Sequence, residues 1–159
     1  MSLVSNADFT QFVNKSGYRT SAELRSGAAA TTWRTYSSEA RRDHPVILVS
    51  WCDAAAYARW CGKCLPTEAQ WEKAARGGIA NDLYPWGNEA PDADLTNWMR
   101  AGEKAGEPPT VPVTRCKPNA LGLHDMAGNV WQWCADWYGE DYYSGGETHN
   151  PRGPLCCCC

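Results

Sequence analysis

Phenylalanine is nearly missing from this chain: two Phe stand against nine Trp and seven Tyr in 159 residues. Tryptophan needs a partner for its N–H when it is buried. With 14 Gly and 10 Pro alongside, the balance points away from regular ladders. It points toward a loop-rich fold in which side-chain polar contacts replace them. Long apolar runs are missing too. None approaches the roughly 18–20 residues that a membrane span requires, so no membrane partner is expected. Net charge is only −3 and no basic stripe is present, which argues against nucleic acid. Arg34, Arg41 and Arg42 lie near Glu39 and Asp43 and read as a solvated loop rather than a phosphate site. The opening MSLVSNADFTQ has no basic or apolar signal region. A cytoplasmic location is favoured if Met1 is the native start. No internal repeat is visible.

Familiar catalytic constellations are also lacking. The three His (His44, His124, His149) form no Ser-His-Asp pattern, and no carboxylate pair has an arguable separation. Asn14-Lys15-Ser16 matches a glycosylation sequon in pattern only. The nine Cys are an odd number, and four of them are the last four residues. Cys61-Gly-Lys-Cys64 has the spacing of a redox dithiol just before a helix. No His or second such pair completes a zinc site. Cys52, Cys61, Cys64, Cys116 and Cys134 therefore read as buried or half-buried structural thiols, with a redox or zinc role for Cys61 and Cys64 as the alternative.

A length of 159 residues fits one domain. Residues 6–17 read as a helix with Phe9, Phe12 and Val13 on one face, Ser5 or Asn6 as its cap and Gly17 as its stop. Residues 19–43 read as a long surface loop, and Pro45–Val49 as a short strand. Ser50 with Asp53 has capping-box spacing for a second helix ending at Gly62. Thr67 with Gln70 starts a third, with Trp71, Ala74 and Ala75 on one face and Gly77-Gly78 as its stop. Thr110–Thr114 reads as an edge strand, since Pro112 lacks an N–H. The fold class is α+β with low regular content.

Several longer motifs carry a resemblance. HPVILVSWCDAAAYARWCGKCLPTEAQWEKAARGG, YPWGN, TNW, PVTRCKPNALGLHDMAGNVWQWCADWY and NPRGP resemble, in order, segments of the formylglycine-generating enzyme, or sulfatase-modifying-factor, family. The likeness runs from about residue 4 to residue 154. It implies a C-type-lectin-like fold with short helices and a small antiparallel sheet, occupying residues 1–155, with a Cys tail at 156–159. It also implies structural calcium. Asp125 would give a side-chain oxygen, Gly128 and Val130 main-chain carbonyls, and Gln132 a side-chain oxygen where the family has Glu. Calcium takes six to eight such oxygens. Trp131, Trp133 and Trp137 are then expected to pin the glycine-hinged loop to the core. The alternative is a metal-free loop held by hydrogen bonds. A second calcium site is matched only by Asn97 and the Trp98 carbonyl.

In the family's enzymes, copper held by two thiolates uses oxygen to convert a sulfatase cysteine to formylglycine. Soft thiolates suit copper(I). Those cysteines follow an RGGSW-like segment beyond NPxGP, and this chain reads LCCCC there. No residue inherits the catalytic role by matching. The expectation is therefore an oxidase in the complete parent, with copper expected only there, and a catalytically silent chain as it stands. The expected partner is a sulfatase polypeptide or another peptide ligand. The rival function is a non-catalytic binding module on the same scaffold. A third, the iron-enzyme relative that forms sulfoxides, needs a separate three-histidine helical domain that nothing here supplies. Self-association through an unpaired sheet edge is also expected.

Overall fold

The structure is a computed structural model; it describes residues 1–25, 31–78, 82–97, 108–146 and 149–154. The Cys tail, Trp98 and most of the 101–109 loop lie outside the described residues. In order come α1 (Asn6–Ser16), α2 (Ser21–Arg25), 3₁₀ turns at Trp33–Tyr36 and Glu39–Arg41, α3 (Trp51–Trp60), α4 (Glu68–Ala75) and a last 3₁₀ turn at Tyr142–Ser144. Among the described residues, no helix is long and apolar enough to cross a membrane.

The expected helix boundaries are borne out by their caps. Ser5 caps α1 and pairs reciprocally with Asp8; Gly17, at φ 69°, ends it. Ser50 with Asp53 and Thr67 with Gln70 form the same box at α3 and α4. Each box satisfies backbone donors that a helix start otherwise leaves open.

The two Phe share one core. Phe9, Phe12, Val13 and Trp33 are buried together, with Tyr18 and Tyr57 packed against them. Phe9 meets the edge of Trp33 at 5.1 Å between ring centres, and Phe12 lies 5.0 Å from Tyr18. Such pairs add about 0.5–1.5 kcal/mol beyond burial. This cluster seats α1 on α3.

The segment 19–43, expected as a long surface loop, holds α2 and two 3₁₀ turns among its described residues. The Glu23 carboxylate takes the Thr20 backbone N–H at 2.8 Å and its hydroxyl at 2.9 Å, which starts α2. That helix buries nothing, so it leaves no hydrophobic period to read. Trp33 nearby is 1% exposed. Arg42 pairs with Glu39 at the surface and Arg34 with Glu23, as expected of a solvated cluster. Arg41 instead reaches Pro108 and Thr110.

The two expected strands are not found among the described residues, which hold only two isolated bridges, Ser5 with Pro45 and Tyr84 with Gly87. Pro45–Val49 cannot continue as a strand because Leu48 turns at φ 60°. Val111 has a side chain for a neighbour: its N–H donates to Asn129 Oδ1 at 3.0 Å, and its carbonyl accepts from Asn129 Nδ2 at 3.1 Å. One amide thus supplies both bonds that a neighbouring strand would. No open ladder edge of the expected kind is present among the described residues.

Candidate functional site

The segment 119–133 is built from turns and held by side chains of the helical half. Asn119 is its first fixed point. Its Nδ2 donates to the Ala74 and Ala75 carbonyls at 2.8 and 3.1 Å, occupying acceptors at the end of α4. Its Oδ1 accepts the Leu121 and Leu123 amides. The chain then turns at Asp125 (φ 57°), Gly128 (φ 93°) and Asn129 (φ 63°). Gly128 is required twice over. Its φ disfavours a side chain, and a Cβ there would stand 2.5 Å from Thr96 Oγ1 and 3.0 Å from the Asn97 carbonyl oxygen.

That close approach brings together residues from both expected calcium sites. Thr96 Oγ1 donates to the Ala127 carbonyl at 2.5 Å, and the Asn129 amide donates to the Asn97 carbonyl at 3.1 Å. Asn97 is buried; its Nδ2 donates to the Pro109 carbonyl at 2.8 Å, and its Oδ1 has no hydrogen-bond partner.

Asp125 is 5% exposed. Its Oδ1 accepts from Asn129 Nδ2 at 3.2 Å, while Oδ2 is buried without a partner. Burial pushes the carboxyl up to about 6, against the opposing effects of Asn129 and His124. Gln132 is committed at both ends. Its Nε2 donates to the Asp125 carbonyl at 2.6 Å, and its Oε1 accepts the Trp71 indole N–H at 2.9 Å. The Gly128 carbonyl accepts the Val130 amide at 2.9 Å. Among the described residues no group of three or more His, Cys, Asp or Glu side chains is arranged to hold a metal. A hard cation here would rest on Asp125 and on neutral oxygens. Asp125 Oδ2 fits such a role, because an ion would offset the desolvation of that carboxylate.

The tryptophans act in the reverse of the expected direction. Trp131 is fully exposed, Trp133 half-exposed and Trp137 62% exposed, so they do not pin the loop to the core. Only Trp133 is tethered, its indole N–H donating to the Val49 carbonyl at 3.1 Å. The pins come from the helices: Trp71 on α4 holds Gln132, and Trp51 on α3 donates to the Cys134 carbonyl at 2.7 Å. The reason is geometric. A turn-built loop has no rigid face from which to drive an indole inward, whereas the first turns of α3 and α4 fix theirs in place.

Two further carboxylates anchor the site. Asp53, wholly buried, accepts from Ser50, Ser21 and Tyr18. Burial raises its pKa, but these donors outweigh it and the carboxyl lies below its usual value. Asp136 Oδ1 accepts the Glu68 amide at the start of α4 at 2.8 Å. Gly153 of the NPRGP segment packs against Asp136 so closely that a Cβ would fall 2.2 Å from it. The capping-box spacing was a signal for Asp53; nothing in sequence pointed to Asp136.

The thiols divide. Cys116 is buried and Cys134 half-buried, as expected, whereas Cys52, Cys61 and Cys64 are exposed. Cys52 lies in the first turn of α3 and Cys61 at its C-cap, and Cys64 lines a groove beside the loop. Burial pushes the Cys116 and Cys134 thiols up, which makes them poor nucleophiles.

Beside the loop lies an open apolar groove of about 1070 Å³, lined by Leu3, Val46, Val49, Leu65, Trp71 and Trp133 among others. Trp131 stands at its wall with its ring in solvent.

Comparison with known proteins agrees with this geometry. The family model described as "Sulfatase-modifying factor enzyme 1-like domain" matches residues 2–155. The formylglycine-generating enzyme of Streptomyces coelicolor is 38% identical, over 95% of this chain and 61% of its own length. That of Thermomonospora curvata is 48% identical over 72% of this chain and 41% of its own length. The chain therefore spans about half the length of these relatives. Among solved structures, Treponema denticola variable protein 1 shares the fold, with a TM-score of 0.66 at 20% identity, covering 96% of this chain and 66% of that one. The family has the C-type-lectin-like fold, and this chain belongs to it: it is a sulfatase-modifying factor enzyme 1-like domain, homologous to formylglycine-generating enzymes.

Proposed function

We propose that these 159 residues form the scaffold part of a formylglycine-generating-type domain and do not carry out the oxidation by themselves. The parent protein is an oxygen-dependent oxidase that converts a sulfatase cysteine to formylglycine, and its partner is a sulfatase polypeptide. The observation that carries this reading is the family match across residues 2–155. The thiol environments support the second half of it. Buried Cys116 and half-buried Cys134 have raised pKa values, the opposite of an activated thiolate. Copper bound by two thiolates would supply the oxygen chemistry, and no residue of the matched motifs inherits those two positions by matching. The small antiparallel sheet expected of the family belongs to this proposal as well.

Structural calcium is part of the same reading. Asp125, Gly128, Val130 and Gln132 would hold one ion, with Asn97 and the Trp98 carbonyl contributing to a second. What supports this is that two of the four buried side-chain oxygens without partners among the described residues, Asp125 Oδ2 and Asn97 Oδ1, fall at these positions; the other two are Asn6 Oδ1 and Asp136 Oδ2. Buried polar atoms rarely go unpaired. Gln132 would bind only through the lone pair that Trp71 leaves open, and it brings no charge, so the site is weak. Calcium should raise the melting temperature over EDTA, and Asp125→Asn should abolish the rise.

The test of the main reading is direct. The chain is incubated with a peptide bearing the sulfatase cysteine motif, copper and oxygen, and the product is read by mass and by aldehyde-specific labelling. No aldehyde is expected; formylglycine in the product would overturn the reading. A second reading, a non-catalytic binding module, draws on the exposed Trp131, Trp133 and Trp137. Large exposed aromatics often mark binding surfaces.

A further inference from the structure

We propose that Gln132 does with hydrogen bonds what a cation would do with charge, an inference that rests on the calcium reading above for the place of the ion. The 123–133 coil then keeps its fold without calcium, and the chemistry of this one side chain sets how far an ion is needed.

Two groups of opposite kind face this side chain. The Trp71 indole N–H can only donate, and the Asp125 main-chain carbonyl can only accept. Gln132 answers both. Its Oε1 accepts the indole N–H at 2.9 Å, and its Nε2 donates to the Asp125 carbonyl at 2.6 Å. The pair of neighbours thus assigns the orientation of the amide. A carboxylate at 132 would serve the indole but would set oxygen against the Asp125 carbonyl oxygen. An apolar side chain would serve neither.

Asp125 turns the coil at φ 57°, and side-chain amides hold it at two points. Asn129 Nδ2 donates to its Oδ1 at 3.2 Å, while Gln132 holds its main-chain carbonyl. Further round the turn, the Gly128 carbonyl accepts the Val130 amide and the Asn97 carbonyl accepts the Asn129 amide. Neutral N–H donors therefore already pair oxygens that a cation would otherwise draw together. Asp125 Oδ2 and Asn97 Oδ1 are the buried ones left over at these positions. Gln132 is also fixed from outside the coil. Trp71 stands in the first turn of α4, whose start is capped by Thr67 and Gln70, so the amide is held in place by a rigid element. Calcium affinity follows the charge that its ligands bring, and Gln132 brings none. The same amide explains both why the coil stands without an ion and why an ion binds it weakly.

The experiment compares three whole chains, the parent, Gln132→Met and Gln132→Glu, in EDTA and in saturating calcium. Calorimetry follows melting, isothermal titration follows calcium binding, and hydrogen exchange of the ¹⁵N-labelled indole follows Trp71. The parent should melt cooperatively in EDTA with the Trp71 N–H protected. Gln132→Met keeps the length of the side chain without its polar atoms. It should melt about 5 °C lower in either medium and free the Trp71 N–H to exchange. Gln132→Glu should also melt about 5 °C lower in EDTA. It should recover at least half of that loss in calcium and bind calcium about tenfold more tightly than the parent. A parent unfolded in EDTA, a Gln132→Met chain that melts with the parent, or a Gln132→Glu chain indifferent to calcium would overturn the proposal. A parent unmoved by calcium, beside a Gln132→Glu chain that calcium rescues, would instead sink the calcium reading and leave the role of Gln132 standing. A parent that needs calcium to fold would do the reverse, so the two failures are distinguishable.

Discussion

Replacing Asp53 with alanine should cost this small domain a large part of its stability. The carboxylate is fully buried. It accepts the Ser50 amide and hydroxyl on Oδ2, both at 2.8 Å. On Oδ1 it accepts the Ser21 amide and Tyr18 hydroxyl at 2.9 Å, and the Ser21 hydroxyl at 3.2 Å. It therefore joins the start of α2, the start of α3 and the aromatic core. Loss of the capping partner alone costs about 1 kcal/mol. Each buried donor left unpaired costs about 1–3 kcal/mol, and these losses overlap because they share one site. A total of about 3–5 kcal/mol follows. At about 2–4 °C per kcal/mol for a domain of this size, the melting temperature should fall by about 10 °C in a calorimetric scan. The acid limb gives an independent check. The folded pKa is below its usual value, so this stabilisation is present above the unfolded value of about 3.9 and is lost as pH falls through the folded one. Asp53→Asn should flatten the loss of stability below about pH 4. An Asp53→Ala chain that melts within a degree of the parent would refute the claim that this carboxylate organises three elements.

Other outcomes follow from the same geometry. Gly128→Ala forces a Cβ to 2.5 Å from Thr96 Oγ1 at φ 93°, so urea unfolding should show a loss of about 2–4 kcal/mol. Phe9→Ala removes the centre of the aromatic cluster and should cost about 3–5 kcal/mol. Asn129→Ala strips Val111 of both its backbone partners; hydrogen exchange at the Val111 amide should quicken more than at the α1 amides. In EDTA, Asp125 favours folding in its protonated form. Its folded pKa of about 6 lies above the unfolded value of about 3.9. Its contribution is thus complete below about pH 3.9 and lost as pH rises through 6, and Asp125→Asn should remove that slope in pH-dependent melts.

Where the chain forms helices, sequence was a good guide, because capping is local chemistry. Ser5, Ser50 and Thr67 each meet a partner three residues on, and all three boxes form. Motifs of several residues in a fixed order likewise fixed the family. Strands were misread because an apolar run such as PVILV is compatible with any buried extended segment. The left-handed turn at Leu48 and the Asn129 amide beside Val111 are tertiary facts with no local signature. The site was half legible. Gln132 meets Asp125 and Gly128 meets Asn97, but the partners that hold them, Trp71, Thr96 and Asn129, come from positions that no spacing rule connects. Trp131 looked like an anchor because tryptophan usually is one. Its full exposure is a tertiary fact that lies beyond reach of a local reading.

Indoles from α3 and α4 grip a glycine-hinged coil, and the indole N–H groups report this directly. Hydrogen exchange of ¹⁵N-labelled tryptophans, assigned by single Trp→Phe replacements, should show the Trp51 and Trp71 side-chain protons protected and that of Trp131 exchanging at the rate of a free indole. Protection of Trp131 in the isolated chain, with Trp51 and Trp71 exchanging freely, would contradict it.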